Sequence, residues 1–77
     1  MVEVLRFIMT FHNVTEAKVP DETIRIEDVY RYENGMIYPC YDYQYDYKEQ
    51  KLYFNKADRY LINYIVEVPK EELNPIH

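Results

Sequence analysis

The sequence predicts a mainly β protein, a five-stranded antiparallel meander that curls into a small open barrel, in one domain over residues 1–77. Apolar and polar residues alternate in several short runs with the period of two that is typical of strands. The dipeptide Asn34-Gly35 lies between two such runs, which is the strongest short signal for a β-hairpin. A sheet in so short a chain must curl or pack against a partner to cover its apolar face.

Residues 2–12 form the first predicted strand. Its apolar side chains recur at every second position and share one face, namely Leu5, Phe7, Met9 and Phe11. Residues 13–22 are mostly polar and include Pro20, which indicates a connection.

Residues 23–32 form the second predicted strand, and Asn34-Gly35 returns the chain through a type I′ turn, in which both central residues have positive φ. The acidic pair Glu27-Asp28 interrupts the alternation and indicates a bulge. Pro39 cannot donate a hydrogen bond to a strand ladder, so we expect an edge position or a bulge there.

The second half of the chain begins with a predicted strand over residues 41–47. A turn follows at residues 48–50, then a short returning strand over 51–54, and a second turn at 55–58.

Residues 60–68 fit either an amphipathic helix or a strand, so a β-rich α+β fold is the alternative. Their β-branched content favours the strand, and Pro69 ends it. Residues 70–73 form at most a short C-terminal helical turn.

The run from Tyr41 to Tyr47 is the main candidate for a functional surface, because tyrosine alternates there with acid or amide. As a strand it would present aromatic rings on one face and acids on the other. The candidate protein-binding residues are Tyr41, Asp42, Tyr43, Tyr45, Asp46 and Tyr47. A structural sheet face is the equally weighted alternative, since tyrosine also fits half-buried strand positions.

The charge and composition weigh against several classes of function. The net charge is −5, with 14 acidic and 9 basic residues, which disfavours direct binding to nucleic acid or to anionic membranes. The wide spacing of the acids also disfavours a mimic of the DNA backbone. There is no serine and one glycine, so a serine nucleophile and a glycine-rich phosphate loop are excluded. We therefore expect that the protein is not an enzyme.

No cofactor or metal site is expected either. Cys40, His12 and His77 are too few and too separated for a zinc site without carboxylates. The single cysteine also excludes an internal disulfide, so self-association, as a homodimer, or a protein partner is the available source of extra burial. The chain shows no secretion signal or membrane span, and its lone thiol suits a reducing compartment, so we expect a cytoplasmic protein.

Together these features lead us to expect a small acidic protein-binding module. Such chains are common among phage and mobile-element proteins that inhibit host enzymes or defence systems by occupying a protein surface. One alternative is a structural or assembly subunit of a larger complex. A second alternative is a small-ligand or nucleotide-binding module that stacks its ligand on tyrosines.

Overall fold

The computed structural model describes residues 2–69, and these form five antiparallel strands in one sheet. The strands are β1 (Val2–Lys18), β2 (Thr23–Glu33), β3 (Met36–Pro39), β4 (Tyr43–Asp46) and β5 (Lys51–Pro69). The sheet order is β1-β5-β2-β3, and β4 pairs with the beginning of β5. The predicted mainly β fold with five antiparallel strands in an open, curled sheet is confirmed.

Strand β5 is the centre of the sheet. Its second half lies between β1 and β2, and its first half lies between β4 and the end of β1. Residues 51–54 and 60–68, which the sequence predicts as separate elements, belong to this one strand, and Pro69 ends it as expected. Its alternate residues Tyr60, Ile62, Tyr64 and Val66 are buried on one face. The strand alternative for residues 60–68 is therefore correct.

A sharp bend in β5 replaces the turn predicted at residues 55–58. Between the pairs Val14–Asp58 and Glu16–Tyr53, β1 advances two residues while β5 advances five. The rings of Phe54 and Tyr60 stack with centroids 3.7 Å apart and planes 6° apart, although these residues would be about 20 Å apart along a straight strand. The Tyr60 hydroxyl donates a hydrogen bond to the Lys56 carbonyl at 2.7 Å across the bend.

The link between β1 and β2 shows how strongly the sheet curls. At one end the Val19 N–H donates to the Gln50 carbonyl at 2.9 Å, and at the other the Glu67 N–H donates to the Glu22 carbonyl at 3.2 Å. Gln50 and Glu67 would lie about 56 Å apart along a straight strand, whereas Val19 and Glu22 can be at most about 11 Å apart. The two ends of β5 therefore approach each other.

The core fills the concave side of this curl. Leu52, Ile62 and Val19 are fully buried there, and they come from both halves of β5 and from the link. Two bulges in β2, one of them at the predicted Glu27-Asp28 position, place Thr23, Ile26 and Val29 opposite core residues of β5. Ile24, which simple alternation would place on the same face as Ile26, is instead exposed.

An ion-pair network lies on the opposite face of the sheet. Arg6 and Arg25 are the register neighbours of Ile65 on either side. Both guanidinium groups contact the Glu27 carboxylate, at 3.4 Å and 2.7 Å. Ile65, between the two arginines, is buried although it lies on the face opposite to Tyr64 and Val66.

The hairpin between β2 and β3 has the predicted two-residue turn. Asn34 and Gly35 have φ of 53° and 79°, and Glu33 pairs directly with Met36. Strand β3 is the last in the sheet order and contains Pro39, so the predicted edge position is also confirmed. Strand β1 is longer than predicted, because residues 13–18 continue it after a left-handed residue at Asn13. The short helical turn predicted for residues 70–73 lies outside the described residues.

The first prediction concerns this turn. A Cβ at Gly35 would meet no atom within 4 Å, so the cost of Gly35→Ala comes from the backbone conformation alone. We expect a loss of about 1 kcal/mol in the free energy of unfolding, measured by urea denaturation. Asn34→Gly keeps positive φ accessible and serves as the control, with a change of only a few tenths of a kcal/mol. Equal stability of Gly35→Ala and the unchanged protein would contradict the type I′ geometry.

The second prediction concerns alkaline pH. Burial raises the pKa of Tyr64, and burial followed by nearby negative charge raises the pKa of Tyr60, from their ordinary value of 10.0. Below about pH 10 both hydroxyls are protonated in the folded and in the unfolded protein, so their contribution to stability does not change with pH. Above about pH 10 the unfolded chain releases the two hydroxyl protons before the folded protein does, so the free energy of unfolding falls as pH rises. Tyr64→Phe should lose less stability between neutral and strongly alkaline pH than the unchanged protein. Urea titrations at each pH test this, and identical pH dependence of the two proteins would contradict it.

Candidate protein-binding surface

The β4–β5 hairpin presents the tyrosines that the sequence singles out. Strand β4 pairs antiparallel with the first residues of β5, from Tyr43 opposite Phe54 to Asp46 opposite Lys51. The turn over residues 47–50 is closed by the Gln50 N–H, which donates to the Asp46 carbonyl at 2.8 Å. Gln50 takes a positive φ of 56° to complete this turn.

Asp46 holds the turn through its side chain. Its Oδ1 atom accepts hydrogen bonds from the backbone N–H groups of Lys48 at 2.9 Å and Glu49 at 3.2 Å. This is the local bonding that makes aspartate common at the start of turns. The carboxylate proposed from sequence as part of a binding face therefore also has a structural role.

The four alternating tyrosines have two different environments. The strand covers only Tyr43–Asp46, so the predicted strand over residues 41–47 is too long at both ends. Tyr43 and Tyr45 are half-buried and pack against the core. Tyr41 and Tyr47 are 86% and 73% exposed. The four rings are therefore not equivalent members of one face.

The two half-buried tyrosines are fixed by specific contacts. The centroids of the Tyr43 and Phe54 rings lie 6.2 Å apart. The Tyr45 hydroxyl donates to Oε1 of Gln50, whose Nε2 atom in turn donates to the Thr23 carbonyl at 3.4 Å. Burial raises the pKa of both hydroxyls above the ordinary value. Both hydroxyls remain protonated near neutral pH, and that of Tyr45 acts as a hydrogen-bond donor.

A third exposed tyrosine joins Tyr41 and Tyr47. Tyr53 lies opposite Gln44 in the β4–β5 register, and these two residues line both of two shallow depressions. One depression, of about 470 Å³, also contains Tyr47, and the other, of about 240 Å³, also contains Tyr41. We call the surface formed by Tyr41, Tyr47 and Tyr53 the tyrosine patch.

Tyr53 is not among the binding residues predicted from the sequence. The signal that could have found it is the alternation Leu52-Tyr53-Phe54, because Leu52 and Phe54 are buried and the residue between them must face outward. The position of Tyr53 opposite Gln44 depends on the register between β4 and β5, which is set by the four-residue turn between them.

The tyrosine patch is surrounded mainly by acids. Asp42 accepts a hydrogen bond from the Asn55 amide at 2.6 Å, which holds its carboxylate beside Tyr41. The Tyr53 hydroxyl points to Glu49 at 3.5 Å, and burial followed by this carboxylate raises its pKa. Lys51 is neutralised by Glu16 at 3.0 Å. Lys48 also lines the larger depression, but Asp42, Asp46 and Glu49 outnumber it, so the net charge around the patch is negative.

A second exposed surface lies along the first half of β1. This part of β1, the end of β5 and the link residues Pro20 and Glu22 line an open groove of about 620 Å³, mainly with apolar residues. Leu5, Phe7 and Val68 are among these residues. The centroids of the Phe7 and Tyr64 rings lie 6.0 Å apart. The predicted shared face of β1 is thus correct, but Leu5 and Phe11 pack against the core whereas Phe7 and Met9 are exposed.

The residues considered for a metal site do not come together. Cys40 is buried beside β2, where its N–H donates to the Val29 carbonyl at 2.8 Å, and His12 lies on β1. His77 lies outside the described residues. Within residues 2–69 no group of three histidine, cysteine or carboxylate side chains is placed to hold a metal ion. Over the same residues no helix has the length and hydropathy to cross a membrane.

No known protein family, curated protein or solved structure matches this chain. Among the described residues 2–69, the acidic tyrosine patch and the apolar first half of β1 are the surfaces best suited to binding.

The third prediction separates the structural role of Asp46 from a role of its charge. Asp46→Asn keeps an oxygen that can accept from the two turn N–H groups, whereas Asp46→Ala removes it. We expect Asp46→Ala to lower the free energy of unfolding by about 1 kcal/mol, and Asp46→Asn to lower it by less than half as much. Thermal and urea denaturation measure both. If Asn and Ala were equally destabilising, the carboxylate charge and not the turn geometry would be the stabilising factor.

Proposed function

We propose that this protein is a protein-binding module that acts by covering part of the surface of a basic protein partner, as an inhibitor does. The observation that carries the proposal is the tyrosine patch, where Tyr41 and Tyr47 are far more exposed than their neighbours Tyr43 and Tyr45. Tyr43 and Tyr45 pack against the core, whereas Tyr41 and Tyr47 are available for contact with a partner.

Tyrosine is well suited to such a contact. Its ring offers a large area with few rotatable bonds, and its hydroxyl can donate or accept a hydrogen bond at the edge of an interface. Tyrosine is accordingly enriched among the residues that dominate binding energy. Tyr47 is also preorganised, because its ring packs edge-on against Tyr45 with centroids 4.8 Å apart.

The charge of the patch favours a basic partner. Asp42 and Glu49 lie beside the exposed rings, and the whole chain has a net charge of −5. A negative patch attracts a positive one and accelerates their encounter. The same carboxylates repel phosphate groups, which is why we prefer a protein partner to nucleic acid.

An assembly subunit is the second candidate, and a separate observation favours it. The apolar edge of β1 offers a surface for permanent association that does not involve the tyrosine patch. The two functions are compatible in one molecule, because the two surfaces share no residue.

The fourth prediction tests the tyrosine patch. The full-length protein, its Tyr41→Ala/Tyr47→Ala variant and a control Tyr38→Ala variant are immobilised and exposed to soluble extract of the source organism. We expect the unchanged protein and Tyr38→Ala to retain the same basic protein in stoichiometric amount, and the double variant to lose it. Tyr38 is the matched control because it is exposed but lines neither depression of the patch.

The affinity for the purified partner gives the quantitative result. Truncation of a tyrosine that dominates an interface costs about 2 kcal/mol, which is about 30-fold in affinity. The double variant should therefore bind between about 30-fold and about 900-fold more weakly, the upper value applying if the two losses add. Added salt should also weaken binding of the unchanged protein. Circular dichroism of the double variant should remain native. Equal binding by all three proteins would refute the role of the patch.

A further inference from the structure

Strand β1 is a long and regular sheet edge. Over residues 2–69 it pairs with β5 alone. From Val2 to Phe11 its register with β5 has no bulge, which gives ten regular residues and a length of about 33 Å. Alternate N–H and C=O groups of this segment point away from β5, and they are free to pair with another strand.

The devices that usually protect such an edge are missing from this segment. Natural edge strands are short, bulged, or interrupted by proline or lysine. The opposite edge of the sheet follows this rule, because β3 has four residues and includes Pro39. In residues 2–11 the charged side chains are Glu3 and Arg6, and the Arg6 guanidinium is directed across the sheet to Glu27.

Both faces of the β1 edge expose apolar side chains. On one face Val4 and Ile8 are 56% and 62% exposed. On the other face Phe7 and Met9 are exposed beside the open groove. Exposed apolar side chains on both faces of an unprotected strand indicate a surface that becomes buried on association.

We propose that β1 pairs antiparallel with β1 of a second copy of this chain, across a two-fold axis at Phe7, so that one sheet continues through a homodimer. This inference goes beyond the binding function proposed for the tyrosine patch, and it assigns an occupant and a register to the β1 edge that the assembly candidate left open.

Symmetry and charge select this register. A two-fold axis perpendicular to the sheet keeps each side chain on its own face, so odd-numbered residues must lie opposite odd-numbered residues. An axis at Phe7 pairs Leu5 with Met9 and uses about nine of the ten regular residues. An axis at Arg6 is as long but places two arginines directly opposite each other, which is destabilising. Axes at Leu5 or Ile8 shorten the pairing to about seven residues.

The charge distribution also favours a second copy as the occupant. The chain has a net charge of −5, so contact between two copies through most other surfaces brings acids together. Residues 2–11 contain one acid and one base and are neutral as a segment. Pairing at Phe7 places Phe7 against Phe7, an aromatic cross-strand pair, and sets Glu3 opposite Phe11 rather than opposite another acid.

The fifth prediction concerns the mass of the full-length chain and the register of the pairing. Light scattering and native mass spectrometry should show a dimer at micromolar concentration. In a Cys40→Ala background, which removes the natural thiol, Phe7→Cys should form an intermolecular disulfide, since directly opposite Cα atoms lie about 4.5–5.5 Å apart. Ile8→Cys should form none, because its nearest copy is displaced along the strand.

A second pair of variants avoids the Phe7–Tyr64 contact. Val4→Cys and Thr10→Cys lie on the exposed face, and the register places Val4 of one copy opposite Thr10 of the other. Each variant alone should stay unlinked, and an equimolar mixture should form the mixed disulfide. A monomer at all concentrations tested, a dimer linked through Ile8→Cys instead, or a dimer that gives none of these links would each overturn the proposal.

This test is independent of the tyrosine patch. The Tyr41→Ala/Tyr47→Ala variant should show the same mass and, when combined with Phe7→Cys, the same disulfide. Loss of the dimer in that variant would mean that the patch and not β1 forms the contact between copies, and would also overturn the proposal.

Discussion

The sheet depends on the bend of β5 between Phe54 and Tyr60. The two rings that flank the bend stack on each other, and the Tyr60 hydroxyl closes it by a hydrogen bond to Lys56. Because the strand turns there, its two ends come close enough for the short link from Val19 to Glu22 to contact both. The core is thus enclosed largely by one strand that folds over itself, which lets fewer than 80 residues bury Leu52 and Ile62 fully.

The two exposed surfaces follow from this arrangement. Strand β4 pairs with the first half of β5, and this hairpin presents the tyrosine patch to solvent. The second half of β5 lies between β1 and β2, which leaves the far side of β1 as an edge. A contact with a basic partner and a contact between copies can therefore form through different residues of the same molecule.

Local chemistry was sufficient to predict some elements and not others. Asn34-Gly35 and Pro69 act through their own backbone preferences, so the hairpin and the end of β5 were predictable. The bend was not, because Asn55, Lys56 and Asp58 are typical of a turn, whereas the bend depends on contacts between residues on its two sides, such as the stacking of Phe54 on Tyr60. In the candidate site, the alternation of tyrosines predicted an aromatic surface. The split between exposed and half-buried rings was unpredictable because it depends on where β4 stops pairing with β5.

The central position of β5 also determines when the protein can fold. It is the last of the five strands in chain order, and β1, β2 and β4 all pair with it. Until the ribosome has synthesised β5, β1 and β4 have no strand to pair with. Strand β2 can pair only with β3, in the hairpin that forms from local contacts. Contacts between residues so distant in sequence slow folding. The nascent chain must therefore keep the apolar residues of β1 in solution while the rest is translated, a period in which chaperones protect such segments from aggregation.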